Sequence, residues 1–205
     1  MTNILYERLI KIKKFKNIEI INKNILDMDL CSLNITKIIS NLPYSISSKF
    51  TIKLIQEKPI FSIIMYQKEF AYRLASTINS KRYGRITLSC QEKLNVEILQ
   101  EVSKYDFFPV PKIDSTIVKF TVNNKTYDNI INSNEYKNLL NILFKYRRKK
   151  IKTILLSKNK ELKIKNIKEK IFNDKNNIKY FNLRPENLNI NDFIILTRYL
   201  YDKNI

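Results

Sequence analysis

Apolar residues recur at helical intervals over residues 4–16, where Ile4, Leu5, Leu9 and Ile12 share one face, and a short apolar run, Ile18 to Ile21, predicts a strand. A polar connection through Asn24, Asp27 and Asp29 leads to a second predicted buried strand, Lys37 to Ser40. Helix, strand, connection and strand make half of a parallel α/β sheet. Residues 47–57 read as a helix capped by Ser47 or Ser48 and stopped by Pro59, with Phe50, Ile52, Leu54 and Ile55 apolar. The run Ile60 to Tyr66 has the continuous hydrophobicity of a central strand. Residues 67–79 return to a helical pattern, SKRYGR at 80–85 is a basic turn hinged on Gly84 whose three cations can touch phosphate or form a solvated surface loop, and 86–94 fits a helix or a strand. Alternation at Val96, Ile98 and Leu99 and again at Ile113, Ile117, Val118 and Phe120, around Phe107-Phe108-Pro109-Val110-Pro111, predicts an antiparallel edge hairpin. Residues 123–134 read as a polar linker. Beyond it come a long helix over 135–156 and amphipathic segments near 160–173 and 191–202. The pattern predicts an α/β sheet domain, residues 1–124, followed by a small helical domain, residues 125–205.

Charge changes this picture. Lys and Arg number 38 against 19 Asp and Glu, a formal charge of +19, which points to a polyanion, nucleic acid first. Residues 1–122 hold 19 basic and 11 acidic side chains, and residues 123–205 hold 19 and 8, so the C-terminal part is the more basic. Histidine is absent, which excludes His-based triads, His general bases and the usual zinc sites, and no metal site is expected. The two cysteines, Cys31 and Cys90, lie too far apart in sequence to suggest a disulfide framework. No apolar run reaches the ~18 residues of a membrane span. A soluble, cytoplasmic protein is expected. A single glycine, Gly84, excludes a Gly-x-Gly nucleotide loop within these residues.

The candidate chemistry sits at Asn41-Leu42-Pro43-Tyr44, in a loop leaving the end of a strand, where sites of α/β sheets collect. The Asn41 amide oxygen and a main-chain carbonyl can accept hydrogens from an exocyclic amine. Pro43 holds the backbone before it extended, and Tyr44 can stack on a ring, which fits a flipped adenine. An ordinary strand-to-helix turn with Tyr44 half-buried is the alternative. Asp27 and Asp29 invite a metal or acid–base reading, against which stands plain helix or turn capping. Phe107 is a second stacking candidate, one of the Phe107-Phe108 pair being expected in the core, and Lys112 is a candidate phosphate contact. Lys145, Arg147, Arg148, Lys149, Lys150 and Lys152 put six cations in eight positions on the predicted long helix, a phosphate-binding surface or a solvated face.

Five strings occur in the order and spacing of one family: NLPYSISS at 41–48, MYQKEFAYRL at 65–74, FFPVPKIDS at 107–115, LFKYRRKKI at 143–151 and RPENLNINDF at 184–193. The chain resembles the ribosomal RNA adenine dimethyltransferases that act on the small subunit, in wording closest to archaeal and eukaryotic members. The resemblance implies a Rossmann-like methyltransferase sheet, S-adenosylmethionine as methyl donor, and small-subunit rRNA or an immature small ribosomal subunit as partner. It implies that Asn41 and the Leu42 carbonyl accept the amine hydrogens, that Tyr44 and Phe107 stack on the base, and that the cations at 145–152 grip RNA. Asn24 aligns with the family aspartate that contacts the donor's adenine.

The Gly-rich loop and ribose-binding acid of the family are not among these residues, since Met1 falls where the family has the helix after its acidic strand. The sheet is therefore expected to be a truncated one, and a partner chain supplying further strands is one way to complete it. A non-catalytic, rRNA-binding assembly factor is the alternative function. A decayed remnant with an exposed sheet edge is the third reading.

Overall fold

The computed structural model describes residues 2–12, 17–172 and 178–202. They fall into two compact units, Met1–Ile35 and Thr36–Ile205.

In the first unit a short helix, α1 (Thr2–Tyr6), runs into a π-helical turn, Glu7–Ile12, in place of a single amphipathic helix, and the rest of the expected helix, 13–16, lies outside the described residues. Residues 18–21 form no strand, and Ile18 and Ile21 are exposed. A run this short becomes a strand only when a neighbour completes its ladder, and no described strand does so. Asn24 caps a 3₁₀ turn, Ile25–Asp27. The Asp29 carboxylate accepts from the Ser32 N–H at 3.0 Å, the turn-capping alternative for that side chain.

The second unit is built on a sheet of order β1-β2-β4-β3. β1 (Lys37–Asn41) pairs in parallel with β2 (Phe61–Gln67), whose other side pairs antiparallel with β4 (Ser115–Val122). β3 (Leu94–Val102) closes the far margin against β4, with a register shift between Ile98 and Gln100 where two apolar residues in succession break the alternation. The expected buried strand at 37–40 is corrected: among the described strands β1 pairs on one side only, and Ile39 is 81% exposed.

Between β1 and β2 lies α2 (Ser47–Glu57), its Phe50 and Leu54 fully buried and its end turned by Lys58 in the left-handed region. α3 (Lys68–Leu74) follows β2, and α4 (Arg85–Gln91) settles the ambiguous segment as helix. Tyr66 from β2 lies edge-on to Phe120 at 6.1 Å and shares a 3.0 Å hydrogen bond with Thr51 of α2. Cys90 is buried, and burial pushes its thiol up to about 12, so it is an inert core residue.

The helical body begins earlier than its first helix. Within the expected linker, Ile130 and Ile131 are buried on a 3₁₀ turn, Asn129–Asn132, that Asp128 caps by accepting from the Ile130 N–H. The expected helix 135–156 is two: α5 (Asn134–Lys145) and α6 (Ile151–Leu162), joined by a turn at 146–150. One continuous helix would carry the apolar stripe of Leu140, Leu143 and Phe144 on to Arg147, so breaking it keeps that charge out of the core. The segment near 160–173 is likewise divided, Lys163 and Asn166 turning left-handed before α7 (Ile167–Phe172). α8 (Ile178–Asn182) and α9 (Ile190–Leu200) complete the body, α9 with the expected bounds within two residues. Tyr83 and Leu88, which belong to the segment after α3, share its core. No described helix is long and apolar enough to cross a membrane.

Candidate active site

The topology brings the carboxyl ends of β1 and β2 to the same end of the sheet as the start of β4, since Asn41 is in register with Met65, and Gln67 with Ser115. Asn41 ends β1 and is exposed, and Leu42 turns inward and is buried. Pro43 is extended (φ −56, ψ 129) and starts a 3₁₀ turn, Tyr44–Ile46, closed by the Ile46 N–H on the Pro43 carbonyl at 3.1 Å. The buried leucine fixes the root of the loop, so the carboxamide and the ring stand on a defined backbone.

Tyr44 is half-buried, and its hydroxyl shares a 2.5 Å hydrogen bond with the hydroxyl of Ser115, a fully buried residue at the start of β4. That bond orients the ring and ties the 41–46 loop to the loop before β4. The latter is pinned twice at Asp114, whose carbonyl accepts from the Lys68 N–H and whose carboxylate accepts from the Lys104 N–H, both at 3.0 Å. Phe107 is half-buried on this loop, Phe108 is 100% exposed before a cis peptide to Pro109, and Lys112 is exposed. Neither phenylalanine joins the core, which corrects the expectation for one of the pair. Phe108 is thus an unanticipated exposed ring, and the signal for it was already present in the two prolines that hold the segment away from the sheet.

The arrangement offers amide and carbonyl acceptors beside oriented aromatic rings, with no histidine anywhere in the chain. It suits holding a planar, amine-bearing ring, and positioning outweighs proton transfer in what it can do. Asn24 belongs to the first unit, where its Oδ1 accepts from the Leu26 N–H at 3.1 Å. A carboxamide such as that of Asn41 fits an amine of S-adenosylmethionine, but Gly84 stands at the start of α4, so these residues hold no glycine cradle for the donor's methionine end.

The cations at 145–152 sit around the turn between α5 and α6 and not on one helical face. Arg148, Lys149 and Lys150 are exposed, and Lys145, Lys149 and Lys158 lie 5.7, 5.7 and 5.2 Å from the centre of the Tyr146 ring. Lys152 is half-buried. Arg147 differs from these. Its guanidinium donates to the Glu186 carboxylate at 2.8 Å and to the Lys81 carbonyl at 2.7 Å.

Residues 1–193 match the family model described as ribosomal RNA adenine dimethylase. The chain is 37% identical over 191 residues to a probable ribosomal RNA small subunit methyltransferase A of Methanosarcina barkeri, covering 92% of this chain and 64% of that protein. A Methanococcus aeolicus protein of the same description is 36% identical, with 83% and 63% covered. The chain thus spans just under two-thirds of the length of these relatives. Among solved structures, a dimethyladenosine transferase from Plasmodium falciparum superposes with a TM-score of 0.75 at 25% identity, over 93% of this chain and 74% of that one. The 23S rRNA methyltransferase ErmE shares the fold, with a TM-score of 0.58 at 20% identity, over 97% of this chain and 77% of its own.

Proposed function

The chain belongs to the ribosomal RNA adenine dimethylase family, and from that premise we propose that it serves to dimethylate the exocyclic amine of adenines in small-subunit rRNA during ribosome biogenesis. S-adenosylmethionine, when bound, supplies the methyl group. Asn41 Oδ1 and the Leu42 carbonyl accept the two amine hydrogens, which localises the nitrogen lone pair otherwise delocalised into the ring. Tyr44 and Phe107 hold the flipped base by stacking. Asn41 and, in the first unit, Asn24 each offer a carboxamide as a donor contact. Lys112, Lys145, Arg148, Lys149, Lys150 and Lys152 contact rRNA phosphates.

The observation that carries this reading is the Tyr44–Ser115 bond, which locks the two loops bearing the acceptor and ring residues to one end of the sheet. In the proposed division of labour, residues 1–124 hold adenine and donor, with Lys112 on the RNA, and residues 125–205 carry the remaining phosphate contacts. The protein acts in the cytoplasm on immature small subunits.

The exposed margin at β1, where Ile39 is 81% open, favours one further element: a strand-bearing partner, a separate chain or further sequence, that completes the sheet. The surplus of cations, which serves RNA binding with or without turnover, supports a second reading, a non-catalytic assembly factor that binds rRNA.

The test is transfer of labelled methyl groups from S-adenosylmethionine to immature small subunits, with donor binding followed by calorimetry. Turnover that Asn41→Ala lowers by about 10²–10³-fold while leaving subunit affinity unchanged is expected. Salt-sensitive subunit binding without donor heat or methyl transfer would establish the assembly-factor reading instead.

A further inference from the structure

The basic turn at 80–85 takes no part in the site above, yet the structure builds it with care. Its backbone is fixed by the Tyr83 N–H on the Ser80 carbonyl (3.0 Å), the Arg82 N–H on the Ser80 hydroxyl (3.2 Å) and the Gly84 N–H on the Thr87 hydroxyl (3.1 Å). Tyr83 is 3% exposed and donates its hydroxyl to the Leu188 carbonyl, and the Asn79 N–H donates to the Glu186 carbonyl at 2.8 Å. The turn is therefore bolted to the helical body on its inner side. Its cations, Lys81, Arg82 and Arg85, are exposed.

Arg73, Lys81, Arg82, Arg85 and Arg147 line one open cleft of about 420 Å³, with Glu69 the single carboxylate in its wall. Glu69 is matched by Arg73 at 3.1 Å, and Arg147 by Glu186, so the cleft keeps a surplus of positive charge. The planar groups are oriented in advance: Arg82 lies 5.4 Å from the centre of the Tyr72 ring, and Arg85 donates to the Asn141 carboxamide. Oriented guanidinium forks match phosphate oxygens better than mobile ammonium groups do. Phe144 and Ile86 give the cleft an apolar wall, and its volume exceeds that of one phosphate, which suits a phosphodiester with its ribose.

We propose that this cleft is a second rRNA-backbone site, beside the exposed cations at 148–150, in which Lys81, Arg82 and Arg85 take a phosphodiester, while Arg73 stays with Glu69 and Arg147 is a positioning residue holding the 80–85 turn in place. The inference rests on the family reading above and adds to it where the RNA runs.

The test is binding of immature small subunits to the purified chain across a series of potassium chloride concentrations, with S-adenosylmethionine binding measured alongside. Arg82→Ala/Arg85→Ala is expected to weaken binding about tenfold and to lower the salt slope by about 1.8, two lost phosphate contacts. Lys81→Glu/Arg82→Glu, which leaves the Arg85–Asn141 bond in place, is expected to weaken it further. Arg147→Gln, which removes the charge and keeps a donor for the Lys81 carbonyl, is expected to lower affinity with the slope unchanged, whereas loss of a phosphate ligand would lower the slope by about 0.9. Wild-type binding with cooperatively melting variants of equal affinity and slope would overturn the cleft alone. Loss of binding to a polyglutamate chain, with subunit binding retained, would give the cleft to an acidic protein segment and overturn it too. A wild-type chain that binds no subunits would overturn both the cleft and the family reading on which it rests.

Discussion

The helical body and the open margin of the sheet use the same kinds of residue and treat them in opposite ways. Leu139, Leu143, Ile151, Leu155, Phe193 and Leu196 are all at 0% exposure in the helical core, while Ile39 and Ile60 beside β1 stand at 81% and 64%. Helices joined by short turns can close a core among themselves, because each satisfies its own backbone hydrogen bonds. A strand cannot, since its ladder and its burial both come from neighbours. The helical body closes its core with only Tyr83 and Leu88 added from outside its own helices, whereas the described sheet ends in two margins, β1 and β3, each paired on one side.

The largest effect that can test this contrast is Phe193→Ala, expected to cost about 3–5 kcal/mol in urea unfolding because a fully enclosed ring leaves a cavity. A loss under ~1 kcal/mol would show that the helical core is loose, and the contrast would fail. Next comes the seam between the two bodies. Glu92 of the α4–β3 connection accepts from the Tyr136 hydroxyl of α5 at 2.5 Å, and burial raises its carboxyl above the usual range, against the opposing pull of Tyr136, Lys93 and Lys137. A raised folded value means stability present in full below the unfolded carboxylate range and lost as pH rises through the folded value. Glu92→Gln keeps an acceptor for Tyr136 and removes that loss. Its melting temperature is expected to match wild type near pH 4 and to exceed it increasingly toward pH 7; a gap constant with pH would contradict this.

Smaller effects sharpen the comparison. Lys58 ends α2 at φ 47 and Lys163 ends α6 at φ 56, one in each body. Replacing either with glycine relieves left-handed strain and is expected to add about 0.5–1 kcal/mol, read from denaturant midpoints. Smallest is Ile39→Thr, expected to change stability by no more than about 0.5 kcal/mol while reducing light scattering of concentrated solutions. A loss above ~2 kcal/mol there would mean that Ile39 is a core residue after all.

Much of this was legible in the sequence. The alternation at 96–120 gave the hairpin, Pro59 gave the end of α2, and the apolar spacing gave α9. The site loop was readable because Asn-Leu-Pro-Tyr carries its geometry locally: a buried leucine, a proline-fixed φ and a short 3₁₀ turn. What depended on distant neighbours was not. Residues 18–21 and 37–40 look alike as apolar runs, and only pairing with β2 makes the second a strand. The break at 146–150 was hidden in the helical phase of Arg147, whose partners Lys81 and Glu186 are remote in sequence. The Tyr44–Ser115 bond joins residues 71 positions apart, and no local pattern announces it.

Gly84 carries one more consequence. Its φ of −161 is ordinary extended backbone, and a Cβ there would meet nothing nearer than the Arg82 carbonyl oxygen at 3.9 Å. Left-handed turns are made by Asn34, Lys58, Asn79, Lys163, Asn166 and Asp202. The one glycine is therefore dispensable to the backbone, and Gly84→Ala would leave a chain that folds without glycine, histidine or tryptophan. A protein that makes its described left-handed turns from asparagine, lysine and aspartate writes its topology in a reduced alphabet, and keeps the most flexible residue in reserve as a means of stabilising it.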